Sequence, residues 1–171
     1  MDYFVNSDDL KKLDIPYLRY ASENFIENLF KYLNERGFCM ILYEIQPHHG
    51  HWVCVLGKNK GHKNLEFFDS YGMKTDDELK HATYSSLMTH GVKLLHDLFE
   101  NTDSIIEYNG KRLQKSRYNV NTCGKWCLLR IYAMVHFPEH AGTLTQFLNY
   151  VKKNKITDAV LGQMNVDDFM Y

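Results

Sequence analysis

Asn121-Thr122-Cys123-Gly124-Lys125-Trp126-Cys127-Leu128-Leu129-Arg130 is the stretch around which the chain is organised. From Gly124 to Phe137 only Lys125, Arg130 and His136 are strongly polar. A helix apolar on nearly every side is walled in by its own domain rather than laid on a surface. Asn121 or Thr122 can cap its start, which puts Cys123 in the first turn. A cysteine there meets free backbone N–H groups and the positive end of the helix dipole, and both favour the nucleophilic thiolate. Gly124 beside it leaves room for a substrate backbone to come close. Alone, a cysteine opening a core helix is more often a small apolar residue than a nucleophile. The weight therefore falls on what stands upstream.

The 171 residues, with 44% hydrophobic and 14% aromatic content, suffice for one core without disulfides or metal, so a single domain over residues 1–171 is expected. Repeats, low-complexity segments and linkers are absent. A net charge of −1 shows no global pull towards nucleic acid or anionic membrane. No apolar run approaches the ~20 residues that span a bilayer. The acidic start from Met1 to Asp9 lacks the basic and apolar regions of a signal peptide, so secretion is not expected. Cys39, Cys54, Cys123 and Cys127 lie in apolar stretches with no framework spacing, as reduced thiols of a cytosol-like compartment do.

Along the chain, Ser22 can cap a helix over Glu23–Arg36 that Gly37 ends. Phe38–Ile45 reads as a buried strand, Pro47-His48-His49-Gly50 as a turn, His51–Gly57 as a second strand and Asn64–Ser70 as a third after the turn Lys58-Asn59-Lys60-Gly61. Asp76–Leu79 reads as one helical turn and Tyr84–Phe99 as a helix. Ser104–Gln114 reads as a strand with a hairpin turn at Asn109-Gly110. After the Cys123 helix, Thr143 and Gln146 form a capping box for a helix to about Asn154, and a short helix begins near Thr157. The fold class expected is α+β, a small mainly antiparallel sheet surrounded by helices.

Thiol proteolysis needs a thiolate, a base paired with it, a group that orients the base, and an oxyanion donor. His51 begins a strand and Asp69 ends its neighbour, where adjacent strands lie ~5 Å apart. Cys123 starts the core helix, and Gln114 can offer an amide N–H. Each residue has a plain structural reading too: Asp69 as a turn residue, Trp52 as core, Cys127 as packing one turn beyond Cys123. Lys111, Arg112, Lys115 and Arg117 read as a solvated hairpin face, with contact to nucleic acid or an acidic substrate loop as the alternative. His48, His49, His51 and Cys54 fit no common zinc spacing, so no metal is expected.

Gly50-His51-Trp52, Phe68-Asp69-Ser70-Tyr71-Gly72, Gln114 and Thr122-Cys123-Gly124-Lys125-Trp126 together resemble the adenain and ubiquitin-like-protein protease superfamily. Within it they are most similar to the maturation proteases of large DNA viruses, virophages and polinton-type elements. The order His, Asp, Cys is that of the superfamily and differs from papain's. The resemblance implies Cys123 as nucleophile, His51 as general base and then acid, and Asp69 as the residue orienting His51. It implies Gln114 in the oxyanion hole with the Cys123 backbone N–H, and Trp52 as the wall of a channel admitting glycine-like residues. Gln114 lies nine residues before Cys123, a longer gap than in adenain or the SUMO proteases, which leaves Asn119 or Asn121 as alternative donors.

The function so implied is a cysteine endopeptidase that processes viral capsid or other structural precursors. It would work as a monomer without cofactor, in the virion and in the host-cell cytoplasm where virions assemble. Its partners would be those protein substrates, and an activating peptide or nucleic acid is not evident in the sequence. The alternatives are an isopeptidase removing ubiquitin-like modifiers, a transacylase on the same fold, and a degenerate scaffold. The isopeptidase would need extra surface to hold a folded modifier. The scaffold would have no reason to keep Cys123, His51 and Asp69 together.

Overall fold

Alternation along the apolar run after Gly37 builds a core on each face of one sheet. The structure, a computed structural model, describes residues 5–46, 49–57, 64–77, 94–115 and 121–169. Its elements are α1 (Ser7–Lys12), β1 (Tyr17–Arg19), α2 (Phe25–Arg36), β2 (Phe38–Gln46), β3 (His49–Gly57), β4 (Asn64–Phe68) and α3 (Leu94–Glu100). There follow β5 (Ile105–Tyr108), α4 (Cys123–His136), α5 (Pro138–Ala141), α6 (Leu144–Lys153), α7 (Asp158–Gln163) and a 3-10 turn (Val166–Phe169). The fold is α+β, with five strands in the order β1-β2-β3-β4-β5. β2, β3 and β4 form the expected antiparallel meander, while β1 and β5 add to its edges in parallel, so the sheet is mixed.

Phe38, Met40 and Leu42 of β2 and Trp52, Cys54 and Leu56 of β3 join the core built on α4. Cys39, Ile41 and Tyr43, with Val53 and Val55, join Phe25, Leu29 and Leu33 of α2 and Leu95 and Phe99 of α3. Period-two alternation thus serves two cores, which is why these strands read as continuously apolar.

α4 is buried from Cys123 through Ile131, as its composition requires. Its two cationic side chains both reach acceptors. Lys125 Nζ donates to the Gly162 carbonyl at 3.1 Å. Arg130 makes a two-pronged ion pair with Glu66 on β4, at 2.7 and 2.9 Å, and donates to the carbonyls of Ala141 and Gly142 at 3.1 and 2.7 Å. Both side chains are fully buried, so each charge is tolerable only through the other.

Several expectations are corrected. Residue 24, not Ser22, is the N-cap of α2: Asn24 adopts a left-handed backbone (φ 55°) and makes no side-chain cap bond. The hairpin at Asn109-Gly110 does not form among the described residues, because β5 pairs in parallel with β4 and residues 109–115 carry no return strand. The Asn109 side chain instead donates to the Asp69 carbonyl at 2.9 Å. Of the helical turn expected over Asp76–Leu79, Asp77 is in 3-10 conformation and residues 78–79 lie outside the described residues, while Asp76 itself is not helical. It has φ 65° and lies buried, its carboxylate accepting from Tyr43 Oη (2.9 Å) and His96 N–H (2.7 Å), which pins the segment after β4 onto β2 and α3. The Thr143–Gln146 capping box is present. Of the turn expected over Pro47-His48-His49-Gly50, His49 and Gly50 belong to β3 instead; residues 47–48, the turn expected at Lys58–Gly61 and most of the helix expected from Tyr84 lie outside the described residues. Among the described residues no helix is long and apolar enough to cross a membrane.

Breaking the buried pair strands a charge. Glu66→Ala should therefore cost about 3–5 kcal/mol in denaturant unfolding, with Glu66→Leu combined with Arg130→Met distinctly milder. A wild-type midpoint for Glu66→Ala would contradict this account of α4.

Candidate active site

Strand register brings the candidate residues together. Cys54, three positions after His51 on β3, pairs with Phe68, the last residue of β4, and beyond Phe68 the chain turns through Asp69–Gly72, the Gly72 N–H donating to the Asp69 carbonyl at 2.8 Å. His51 and Asp69 consequently meet at one end of the sheet. Gly50 is required there: a Cβ would lie 2.0 Å from the Tyr43 carbonyl oxygen and 2.8 Å from the Glu44 Cα on β2.

His51 Nε2–H donates to Asp69 Oδ1 at 2.8 Å, and both side chains are buried. The Tyr71 backbone N–H donates to the same oxygen at 2.8 Å. The Tyr71 ring stacks on the imidazole, with centroids 4.6 Å apart and planes at 21°. Asp69 Oδ2 is buried and has no hydrogen-bond partner among the described residues. With Nε2 committed to Asp69, Nδ1 is the ring nitrogen left, and the Cys123 sulfur is close enough to raise the imidazole's pKa.

Burial by itself drives an imidazole towards its neutral form. The hydrogen bond to Asp69, the charge of that carboxylate, and the Cys123 sulfur outweigh burial and push the His51 pKa up to about 10. A protonated ring at neutral pH is the consequence.

Two sulfurs engage the backbone of one β3 residue, Trp52. The Trp52 N–H donates to Cys123 Sγ at 3.5 Å, and Cys127 Sγ donates to the Trp52 carbonyl at 3.5 Å. Burial, then the neighbouring Cys54 thiol, pushes the Cys127 thiol well above its ordinary range, so Cys127 is a neutral packed group.

Trp52 and Gly124 meet a partner that sequence reading did not assign. The Trp52 indole N–H donates to the Val5 carbonyl at 2.9 Å. A Cβ on Gly124 would lie 2.6 Å from Val5 Cβ and 3.1 Å from Trp52 Cδ1. The room expected at Gly124 for a substrate backbone is thus taken by the chain's own Val5.

Gln114 is buried, its backbone N–H donating to the Ser70 carbonyl (3.0 Å) and its Oε1 accepting from Ser70 Oγ (2.8 Å). With Oε1 held by Ser70, the donating Nε2 is the opposite end of the amide. Asn121 is half-buried just before the helix, and Asn119 lies outside the described residues. Arg112 is more than a solvated charge: it donates to the Gln114 and Lys115 carbonyls at 2.8 and 3.0 Å, and its guanidinium lies 5.3 Å from the Tyr71 ring centre. No group of three or more His, Cys, Asp or Glu side chains among the described residues could hold a metal ion. Ser70 and Tyr71 were visible only as neighbours of Asp69, and Val5 carried no sequence signal.

No family model matches the chain. It is similar to "Uncharacterized protein V9" of Sputnik virophage, 32% identical over 112 residues, which is 61% of this chain and 63% of that protein. The chain therefore matches less than two thirds of that relative's length. It also aligns with a solved structure described as "Crystal structure of the de-sumoylating protease", at a TM-score of 0.31 and 12% identity, over 95% of this chain and 67% of the other. At that score the likeness is too slight to transfer a site.

Two expectations follow from the geometry. Since the folded His51 pKa of about 10 exceeds its unfolded value, His51 contributes stability that is complete below pH ~6.5 and lost as pH rises towards 10. The melting-temperature gap between wild type and His51→Gln should accordingly narrow over that range, and a constant gap would contradict the pairing. Gly124→Ala should cost about 1–3 kcal/mol, because Val5 and Trp52 must yield to the new methyl group. An unchanged melting temperature would show that Val5 gives way freely.

Proposed function

We propose that the chain is a cysteine endopeptidase in which Cys123 is the nucleophile, His51 the acid–base group and Asp69 the residue that orients His51. The observation that carries this reading is the commitment of His51 Nε2 to Asp69, which leaves the other ring nitrogen to the sulfur opening a buried helix. Nucleophile, base and orienting group in that relation are what acyl transfer through a thioester requires.

In the reaction, the Cys123 sulfur forms a bond to the scissile carbonyl carbon and the π electrons move onto oxygen. His51, which holds the thiol proton, passes it to the leaving amine as the C–N bond breaks. Water then attacks the thioester carbonyl while His51 accepts its proton. The C–S bond breaks, the acid product leaves, and the Cys123–His51 pair is restored. The oxyanion formed in each half-reaction needs fixed donors, for which the Cys123 N–H and Gln114 Nε2 are suited by type. Ser70 supports this role for Gln114 by engaging the opposite end of its amide.

The substrates we propose are viral capsid or other structural precursors with glycine-like residues before the cleaved bond. The virophage relative supports a viral setting. The chain acts as one domain, as a monomer, at the site of virion assembly.

The test is incubation of the protein with the structural precursors of its own genome, followed by sequencing of new N-termini. Wild type should cleave after glycine-like residues and Cys123→Ala should not, while melting like wild type. Equal cleavage by Cys123→Ala would overturn the assignment. Gln114→Ala should lower kcat by about 10²–10³ with Cys123 alkylation unchanged, since an oxyanion donor acts on the transition state. An unaltered kcat would remove Gln114 from the site.

A further inference from the structure

The helix that carries Cys123 is not capped by its own sequence. Thr122 is its N-cap residue but makes no side-chain cap bond. Its hydroxyl donates instead to Asp158 Oδ1 at 2.7 Å, from thirty-six residues further along the chain. The Trp126 indole N–H, one turn into the helix, donates to the same oxygen at 2.9 Å. The other carboxylate oxygen, Asp158 Oδ2, accepts from the Lys115 backbone N–H at 2.8 Å.

These partners are not scattered. Lys115 follows Gln114 directly and Thr122 precedes Cys123 directly. One carboxylate therefore bridges the residue after the oxyanion donor and the residue before the nucleophile. Asp158 is itself placed firmly. It opens α7 behind the Thr157 cap, and α7 is tied to α4 a second time through Lys125 Nζ and the Gly162 carbonyl.

We propose that Asp158 is the positioning residue that sets the separation of Gln114 from Cys123, a proposal that rests on the protease reading above. An oxyanion donor serves only if held within about 0.5 Å of its place relative to the attacking sulfur. Gln114 lies nine positions before Cys123 in sequence, and Asp158 ties the two ends of that interval together directly. An ionised carboxylate only accepts, and its three partners here only donate to it. Asn at this position would turn an amide N–H against one of those donors, releasing either Lys115 or the Thr122–Trp126 end.

The experiment is a double-mutant cycle of Asp158→Asn with Gln114→Ala, read on a peptidyl-Gly-Gly coumarin amide. Asp158→Asn should lower kcat by about 10- to 100-fold, a share of what loss of the donor itself costs, with KM and the iodoacetamide alkylation rate of Cys123 nearly unchanged. In the Gln114→Ala background the same change should cost less than about twofold, since the donor it positions is already gone. Losses that multiply in the double variant would overturn the proposal and show a role in general stability, as would a fall in alkylation matching the fall in kcat. If Asp158→Asn fails to fold, Thr122→Val removes one of the bridging donors, and the same cycle is read with it. A wild type that leaves the coumarin amide and the viral precursors alike uncut overturns the protease reading and this one with it. A wild type that cleaves, with multiplicative variants, overturns only the role of Asp158.

Discussion

The hydrogen bond from His51 Nε2 to Asp69 Oδ1 is the contact on which the rest of the candidate site depends. It is buried at both ends, so neither group could remain there in charged form without the other. Forming it requires β3 and β4 to pair in one register, since a slip of one residue would turn His51 to the opposite face. That register is enforced by the two cores, which sort the odd and even residues of β3 to different sides. Hydrophobic alternation thus specifies an electrostatic contact, and the contact in turn decides which imidazole nitrogen is left for Cys123.

α4 shows the same logic from the other direction. A helix with so little polar surface has to be enclosed, and enclosure turns each of its charges into a demand. Arg130 is met by Glu66 on β4, the strand that Asp69 follows, so the helix and the Asp69 end of the sheet are locked by a buried pair. Trp52 completes the lock, with its N–H on Cys123 Sγ and its carbonyl receiving Cys127. The sulfur of Cys123 is thereby held at the edge of the core. The buried neutral thiol of Cys127, one turn on, remains packing.

Much of this was legible in the sequence, for reasons that differ by element. β2, β3 and β4 are apolar runs bounded by turn-forming residues, and α4 is an apolar run too long for a strand. Cys123, His51 and Asp69 could be singled out because their residue types, order and elements agree. α1 and β1 went unread. α1 has six residues and buries only Leu10, and its signal, the Asn6–Asp9 capping box, stands in an acidic stretch that resembles a solvated tail. β1 has three residues and pairs in parallel with β2, a non-local contact that no periodicity announces. Asn109-Gly110 misled because local turn propensity lost to the parallel pairing of β5 and to the bond of Asn109 with the Asp69 carbonyl. Val5 and Asp158 were invisible for a further reason: each bonds a residue beside the candidate site from far away in sequence, through a carbonyl or a carboxylate that any neighbour could have used.

The pairing of Cys123 with His51 can be measured without knowing any substrate. Wild type and His51→Ala are compared by the rate at which iodoacetamide alkylates Cys123, read by mass spectrometry across the range from pH ~5 to ~10 over which an imidazole and a thiol titrate. The expected result is a wild-type rate near neutral pH well above that of His51→Ala, with the two curves converging at the alkaline end. Curves that coincide throughout would contradict the account, because Cys123 would then react as though His51 were not there.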